Sequence, residues 1–167
     1  TPLIPLSDTR RFVPAPRMKG STPSLCNRLR TSFKTIISSG ISEPNPKLEW
    51  KLEENVFRTN ILGYAAAAGF AVRYFLSQGV GHLVGITSLT KYFANKSSPA
   101  YNASKIFESN YLDSMRYRMQ GKNLFVTEIC PGFINTPIVN RKRKITLMAP
   151  VEKAAKQIIK TIESKKK

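Results

Sequence analysis

The stretch GHLVGITSLTKYFANKSSPAYNASK, residues 81–105, reads as a strand, a loop and the start of a helix, and that reading decides the fold. Gly81 to Leu89 is a short apolar run ending in Thr87-Ser88, the pattern of a strand buried in a sheet. A helix is expected from Tyr101 to Met119. Toward the C-terminus, NLFVTEICPG (123–132) is a further strand, closed by the breaker pair Pro131-Gly132. Toward the N-terminus, FKTIISSGIS (33–42) is a β-branched apolar run that turns at Ser-Ser-Gly. Residues 53 to about 77 read as helix, with Ile61, Ala65, Ala68 and Val72 on one face, and the two alanines there permit close packing on a sheet. A last helix starts at Pro150, runs to about residue 163 and precedes three lysines that suit its C-terminal dipole. Strands alternating with helices predict an α/β domain with a parallel sheet, and no internal repeat is visible.

A chain of 167 residues fits one domain, since domains most often run to about 100–150 residues. Its 41% hydrophobic and 10% aromatic content belongs to a globular protein, not a disordered one. The longest apolar candidate for a membrane span, Ile61 to Val72, falls short of the roughly 18 residues such a span needs. Cys26 and Cys130 are far apart, with only His82 as a companion, so neither a zinc site nor a disulfide framework is encoded. A reducing intracellular compartment, the cytoplasm or an organelle, is the expectation. Cys130 ends an apolar run and reads as a small hydrophobe in a buried strand.

The net charge of +17 sits at the ends: residues 1–47 carry +6, residues 48–140 carry +3 and residues 141–167 carry +8. A basic chain of this kind need not use its middle to bind nucleic acid. Residues 1–34, with Pro2, Pro5, Pro14, Pro16 and Pro23, read as a basic tail or a non-native leading segment with some likeness to a transit peptide. Residues 35–167 form the α/β domain.

On a helix, residues i and i+4 share a face, so Tyr101 and Lys105 stand side by side. An ammonium beside a phenol favours the phenolate, which makes Tyr101 a candidate proton donor and acceptor. Ser88 ends a parallel strand, where ligand sites of open α/β sheets form, and its hydroxyl is placed to hold a substrate oxygen. Asn60 lies inside a helix, an unfavourable place for it, and its amide is a candidate holder of a water that connects Lys105 to solvent. Pro131-Gly132 makes a sharp turn, with Thr136 following as a hydrogen-bond donor.

Residues 35 to about 163 resemble the C-terminal two thirds of a short-chain dehydrogenase/reductase. The resemblance rests on Asn60 in RTNILG, Ser88 in GITS, YNASK at 101–105 and PGFINT at 131–136, in the family's order and spacing. It implies a partial Rossmann-like parallel sheet flanked by helices. It also implies hydride transfer between NAD or NADP and a small carbonyl or alcohol substrate. Tyr101 would be the general acid and base, and Ser88 would position the reacting oxygen. Lys105 would tune Tyr101 and hold the nicotinamide ribose, and Asn60 would support the proton relay. Gly40 in Ser38-Ser39-Gly40, together with Pro131, Gly132 and Thr136, would border the cofactor.

The family's opening strand, Gly-rich turn and helix, which receive the pyrophosphate, find no counterpart among the nine glycines here. Without those first βαβ elements the edge at KTIISSG is expected to need cover, from more chain or from a partner subunit. The resemblance further implies a homodimer or tetramer formed through the two middle helices. The alternative reading is an inactive relative that serves as a basic structural subunit, binding nucleic acid or an anionic membrane through its charged ends. The cluster NRKRK, Asn140 to Lys144, is a candidate selector of an anionic substrate or membrane surface.

Overall fold

Glycine at two positions of the central strand lets two helices press onto it. Strand β2 (Gly81–Ile86) lies between β1 (Lys34–Ile37) and β3 (Leu124–Ile129), and all pairings are parallel. Lys34 to Ile37 register against His82 to Gly85, and Gly81 to Ile86 register against Leu124 to Ile129. These coordinates are a computed structural model that describes residues 33–136 and 148–164. The tail up to residue 32, Cys26 included, and the cluster Asn140–Lys144 lie outside the described residues.

Alternation along β2 sends Gly81, Leu83 and Gly85 to one face and His82, Val84 and Ile86 to the other. On the first face sit helix α2 (Tyr64–Gln78) and helix α3 (Pro99–Arg118). A core of Ile37, Tyr64, Ala68, Val72, Phe75, Leu83, Leu112, Leu124 and Val126 forms between them and the sheet. On the second face Val84 and Ile129 pack with Ile162 of helix α4 (Val151–Glu163). The result is a partial Rossmann-like layer order, helices on both sides of a parallel sheet. A Cβ added at Gly81 would lie 2.1 Å from the Phe75 ring, and one at Gly85 would lie 2.2 Å from Tyr64 Oη and 2.5 Å from Leu112 Cδ1. Both approaches are closer than any side chain tolerates, which is why the strand carries glycine there.

The helix expected over residues 53 to about 77 is longer and interrupted. It runs as α1 (Trp50–Phe57), a π-helical segment Arg58–Gly63, and α2, which ends at Gly79 in the left-handed conformation (φ 70°). A π turn holds more residues than an α turn, so it rotates the buried stripe. Asn60, Tyr64, Ala68, Ala71, Val72 and Phe75 face inward, while Ile61 and Ala65, expected there, are only half-buried. Strand β2 stops at Ile86, short of Leu89, because Ser88 Oγ accepts the Thr90 N–H at 3.2 Å and winds the chain into a 3-10 turn, Leu89–Tyr92. Cys130 lies just beyond β3 and is half-buried, unlike a strand-interior hydrophobe.

Among the described residues β1 pairs on one side only, with β2, and Ile36 is 50% exposed. No helix among them is long and apolar enough to cross a membrane. Gly85→Ala should lower the stability of the fold by about 1–3 kcal/mol, the usual cost of overpacking. Urea unfolding followed by circular dichroism measures this, and an unchanged midpoint would show that α2 and α3 do not bear on the strand.

Candidate active site

Four chain segments meet at the C-terminal edge of the sheet. They are the turn after β1 with Gly40, the end of β2 with Thr87 and Ser88, the first turns of α3 with Tyr101 and Lys105, and Pro131 after β3. The β2–β3 pairing continues past the strands, with Thr87 N–H donating to the Ile129 carbonyl at 2.8 Å and Leu89 N–H to the Pro131 carbonyl at 3.0 Å. Pro131 is thereby fixed beside the 3-10 turn that carries Ser88 and Thr90. Helix α3 enters through Ser98-Pro99, with proline in the first turn where its missing N–H costs nothing. The preceding loop is tied down by Asn102 Nδ2, which donates to the Phe93 carbonyl at 3.1 Å, and by Asn95 Nδ2, which donates to Asn102 Oδ1 at 3.0 Å.

Tyr101 is half-buried in this corner. Burial pushes its phenol above the ordinary value; the Ser88 hydroxyl pulls it down, the charge of Glu108 adds to the rise, and the Thr90 hydroxyl opposes it. The net direction is upward. The sequence-based expectation that Lys105 lowers this group is therefore corrected, and the reason is geometric. Lys105 Nζ lies 5.5 Å from the centre of the Tyr101 ring and donates to both carboxylate oxygens of Glu108, each at 2.9 Å. Its charge is already matched. Burial in turn pushes the Glu108 carboxyl up to about 7 against the pull of Lys105, with Glu128 adding repulsion.

Asn60 is fully buried and both ends of its amide are engaged. Its Oδ1 accepts the Ile41 N–H at 2.9 Å, and its Nδ2 donates to the Ile41 carbonyl at 2.9 Å and to Ser104 Oγ at 3.0 Å. Ser104 Oγ donates in turn to the Tyr101 carbonyl at 2.8 Å. This side chain thereby clamps the turn after β1 to helix α3. Gly40 sits within that clamp, and a Cβ there would lie 3.2 Å from Lys105 Nζ. Backbone and ammonium are thus brought close together, and a larger residue at this position would crowd the ammonium.

A second, half-buried pair flanks the site. Lys91 Nζ donates to Glu128 Oε1 at 2.7 Å and to Ser109 Oγ at 2.8 Å, and Thr87 Oγ1 donates to the same carboxylate oxygen at 2.6 Å. Burial works against ionisation of Glu128, but the bonds from Lys91, Thr87 and Ser109 outweigh it and hold the carboxyl below its usual range.

Pro131 and Gly132 line a cavity of about 340 Å³ together with Cys130, Phe133, Ile134 and residues of α4 such as Gln157 and Thr161. Neither Ser88 nor Tyr101 lines it. Thr136 turns its hydroxyl to the Ile134 carbonyl, at 3.4 Å, within its own turn. The structure therefore gathers Gly40, Asn60, Ser88, Tyr101 and Lys105 in one place, with the Pro131–Thr136 turn alongside. Sequence reasoning missed Thr90, Ser104, Glu108 and Glu128. The signal for Glu108 and Ser104 was present, since they lie three residues after Lys105 and Tyr101 on one helix face.

A family model for the short chain dehydrogenases matches residues 36–146. An uncharacterized oxidoreductase of Myxococcus xanthus is 33% identical over 92 residues, 55% of this chain and 36% of its own length. Dehydrogenase/reductase SDR family member 7B of Mus musculus is 27% identical over 117 residues, 70% of this chain and 34% of its own. The chain thus spans only about a third of these curated relatives. Among solved structures, a short-chain dehydrogenase from Sphingobium yanoikuyae in complex with NADPH superposes with a TM-score of 0.74 at 15% identity, covering 84% of this chain and 58% of that one. A 4-hydroxyisoleucine dehydrogenase complexed with NADH and succinate gives 0.69 at 20% identity, covering 79% and 61%. At such identities the likeness is one of fold.

Asn60→Ala removes three hydrogen bonds and leaves the Ile41 N–H and carbonyl without their partner. Each such loss costs about 1–3 kcal/mol, so destabilisation of at least about 2 kcal/mol is expected. Amide hydrogen exchange at Ile41 reads the clamp directly, and protection equal to the parent's would remove it.

Proposed function

The chain belongs to the short-chain dehydrogenase family, and on that premise we propose that it serves hydride transfer between NAD or NADP and a small carbonyl or alcohol substrate. The observation that carries this reading is the convergence of Ser88, Tyr101 and Lys105 at the C-terminal edge of a parallel sheet, the place where α/β folds bind ligands. Tyr101 is the proton donor in reduction and the acceptor in oxidation, and Ser88 orients the reacting oxygen. Lys105 binds the nicotinamide ribose, and Asn60 holds the floor of that site by fixing the turn at Ile41. Gly40, Pro131, Gly132 and Thr136 border the cofactor.

The residues fit such a group at one well-defined spot. Gly40 presents bare backbone next to the Lys105 ammonium, a cradle that a Cβ would fill. A bound nicotinamide would supply or take the hydride. The phenol of Tyr101, raised by burial, is protonated near neutral pH and ready to donate, which suits carbonyl reduction. Alcohol oxidation needs the phenolate, so its rate should climb as pH rises toward the phenol's raised pKa.

Fluorescence titration of the 167-residue chain with NADH and NADPH, at low and physiological salt, tests the reading. Saturable binding is expected, largely unchanged in Tyr101→Phe, while carbonyl reduction by that variant falls by about 10²-fold or more. A folded chain that binds neither nucleotide would point either to a piece of a longer enzyme or to the alternative role of a basic structural subunit.

We also infer that two copies pair through α2 and α3. The exposed apolar residues Phe70 (64%) and Ile106 (54%) on those helices support this. Sedimentation should show a dimer or tetramer that Phe70→Glu with Ile106→Glu dissociates; a parent monomer at about 50 μM would remove the inference.

A further inference from the structure

The group beside Tyr101 is not a lone ammonium. Lys105 and Glu108 lie three residues apart on α3, 5% and 0% exposed, and the carboxylate takes the ammonium with both oxygens at 2.9 Å. An ammonium has three N–H donors, so this fork engages two of them. What remains faces the corner where Gly40 and the Tyr101 ring approach, with a Gly40 Cβ position 3.2 Å from Nζ and the ring centre 5.5 Å away.

We propose that Glu108 is a positioning residue for Lys105, holding its ammonium in one orientation and offsetting its charge, so that the phenol of Tyr101 titrates beside an ion pair instead of a free cation. The inference rests on the reading of Tyr101 and Lys105 given above and adds a residue to it.

Other groups bear on the pair from every neighbouring element. Tyr101 and Tyr111 share its helix. From the long helix opposite come Asn60, whose amide is engaged with Ile41 and Ser104, and Tyr64, whose buried phenol is driven far above its ordinary value by desolvation and by the charges of Glu108 and Glu128. From β3 comes Glu128, itself matched by Lys91. Lys105 is the cation beside the Tyr101 ring, and the fork to Glu108 matches it. The charge of Glu108 is among the causes that hold the phenol up, in keeping with an ammonium offset by that carboxylate.

A purely structural pair would change stability and leave Tyr101 alone, so the decisive readout is the ionisation of Tyr101 in the free protein. It is followed by absorbance at 295 nm and isolated as the difference between each protein and its Tyr101→Phe counterpart, over the pH range in which circular dichroism shows the fold intact. Neither nucleotide nor substrate is needed, so the result stands whether or not the oxidoreductase reading holds. In Glu108→Gln the freed ammonium should bring the Tyr101 midpoint down by about one pH unit or more. An unchanged midpoint in the folded variant, or no titration as in the parent, overturns the proposal.

Leaving a buried ammonium without its partner can prevent folding, whereas replacing both charges with apolar groups is often neutral. The double variant Lys105→Met/Glu108→Leu therefore decides the matter independently. An offset ammonium predicts a Tyr101 midpoint at or below the parent's, because the carboxylate that adds to the rise is removed with it. A midpoint raised by about one unit or more would show that Lys105 acts on the phenol as an uncompensated cation, and would end the proposal.

Discussion

The absence of a side chain at Gly85 is the constraint on which the rest of the site depends. The Tyr64 hydroxyl and the Leu112 methyl groups occupy the space a Cβ would take, so α2 and α3 lie against the middle strand at a separation set by bare backbone. Tyr101 and Lys105 sit two to three turns before Leu112 on the same helix, and their distance from the end of β2 follows from that contact. Shape carries more of this arrangement than polarity does. Tyr64, Phe75, Leu83 and Leu112, nearly or wholly removed from water, each contribute on the order of 1.5–3 kcal/mol of apolar burial.

Polar groups then lock what packing has placed. Asn60 reaches across from the π segment and bonds both backbone groups of Ile41 and the hydroxyl of Ser104, so one side chain joins the turn after β1, the long helix and α3. An interior asparagine is poor for a helix taken alone, and the compensating bonds are all long-range in sequence. The π segment and Asn60 therefore belong together. The extra residue per turn brings Asn60 to the buried side, where an unbroken α-helix on the expected phase would have put Ile61.

That displacement marks the boundary of what could be read from sequence. Strand positions were legible because apolar runs closed by Thr-Ser, Ser-Ser-Gly and Pro-Gly are local signals, and the Tyr101–Lys105 spacing was legible because a helix makes i and i+4 neighbours. The order of strands followed from the parallel crossover rule. The phase of the helical face was not legible, since no propensity scale distinguishes RTNILG as a π segment. Nor was the sign of the effect on Tyr101. A lysine four residues on predicts a lowered phenol, and only burial together with the competing carboxylate three residues further along reverses it.

The same balance separates the chain's overall charge from the electrostatics of its site. Of the net +17, residues 1–47 and 141–167 hold +6 and +8, yet Lys91 and Lys105, the two lysines described at the site, add nothing to the excess. Lys91 is matched by Glu128 and Lys105 by Glu108, both pairs mostly withdrawn from solvent. A buried group responds to neighbours within a few ångströms, where the local dielectric is low, while exposed charges beyond about 8 Å are screened at physiological salt. Tyr101 is accordingly governed by its own burial, the hydroxyls of Ser88 and Thr90 and the carboxylate of Glu108.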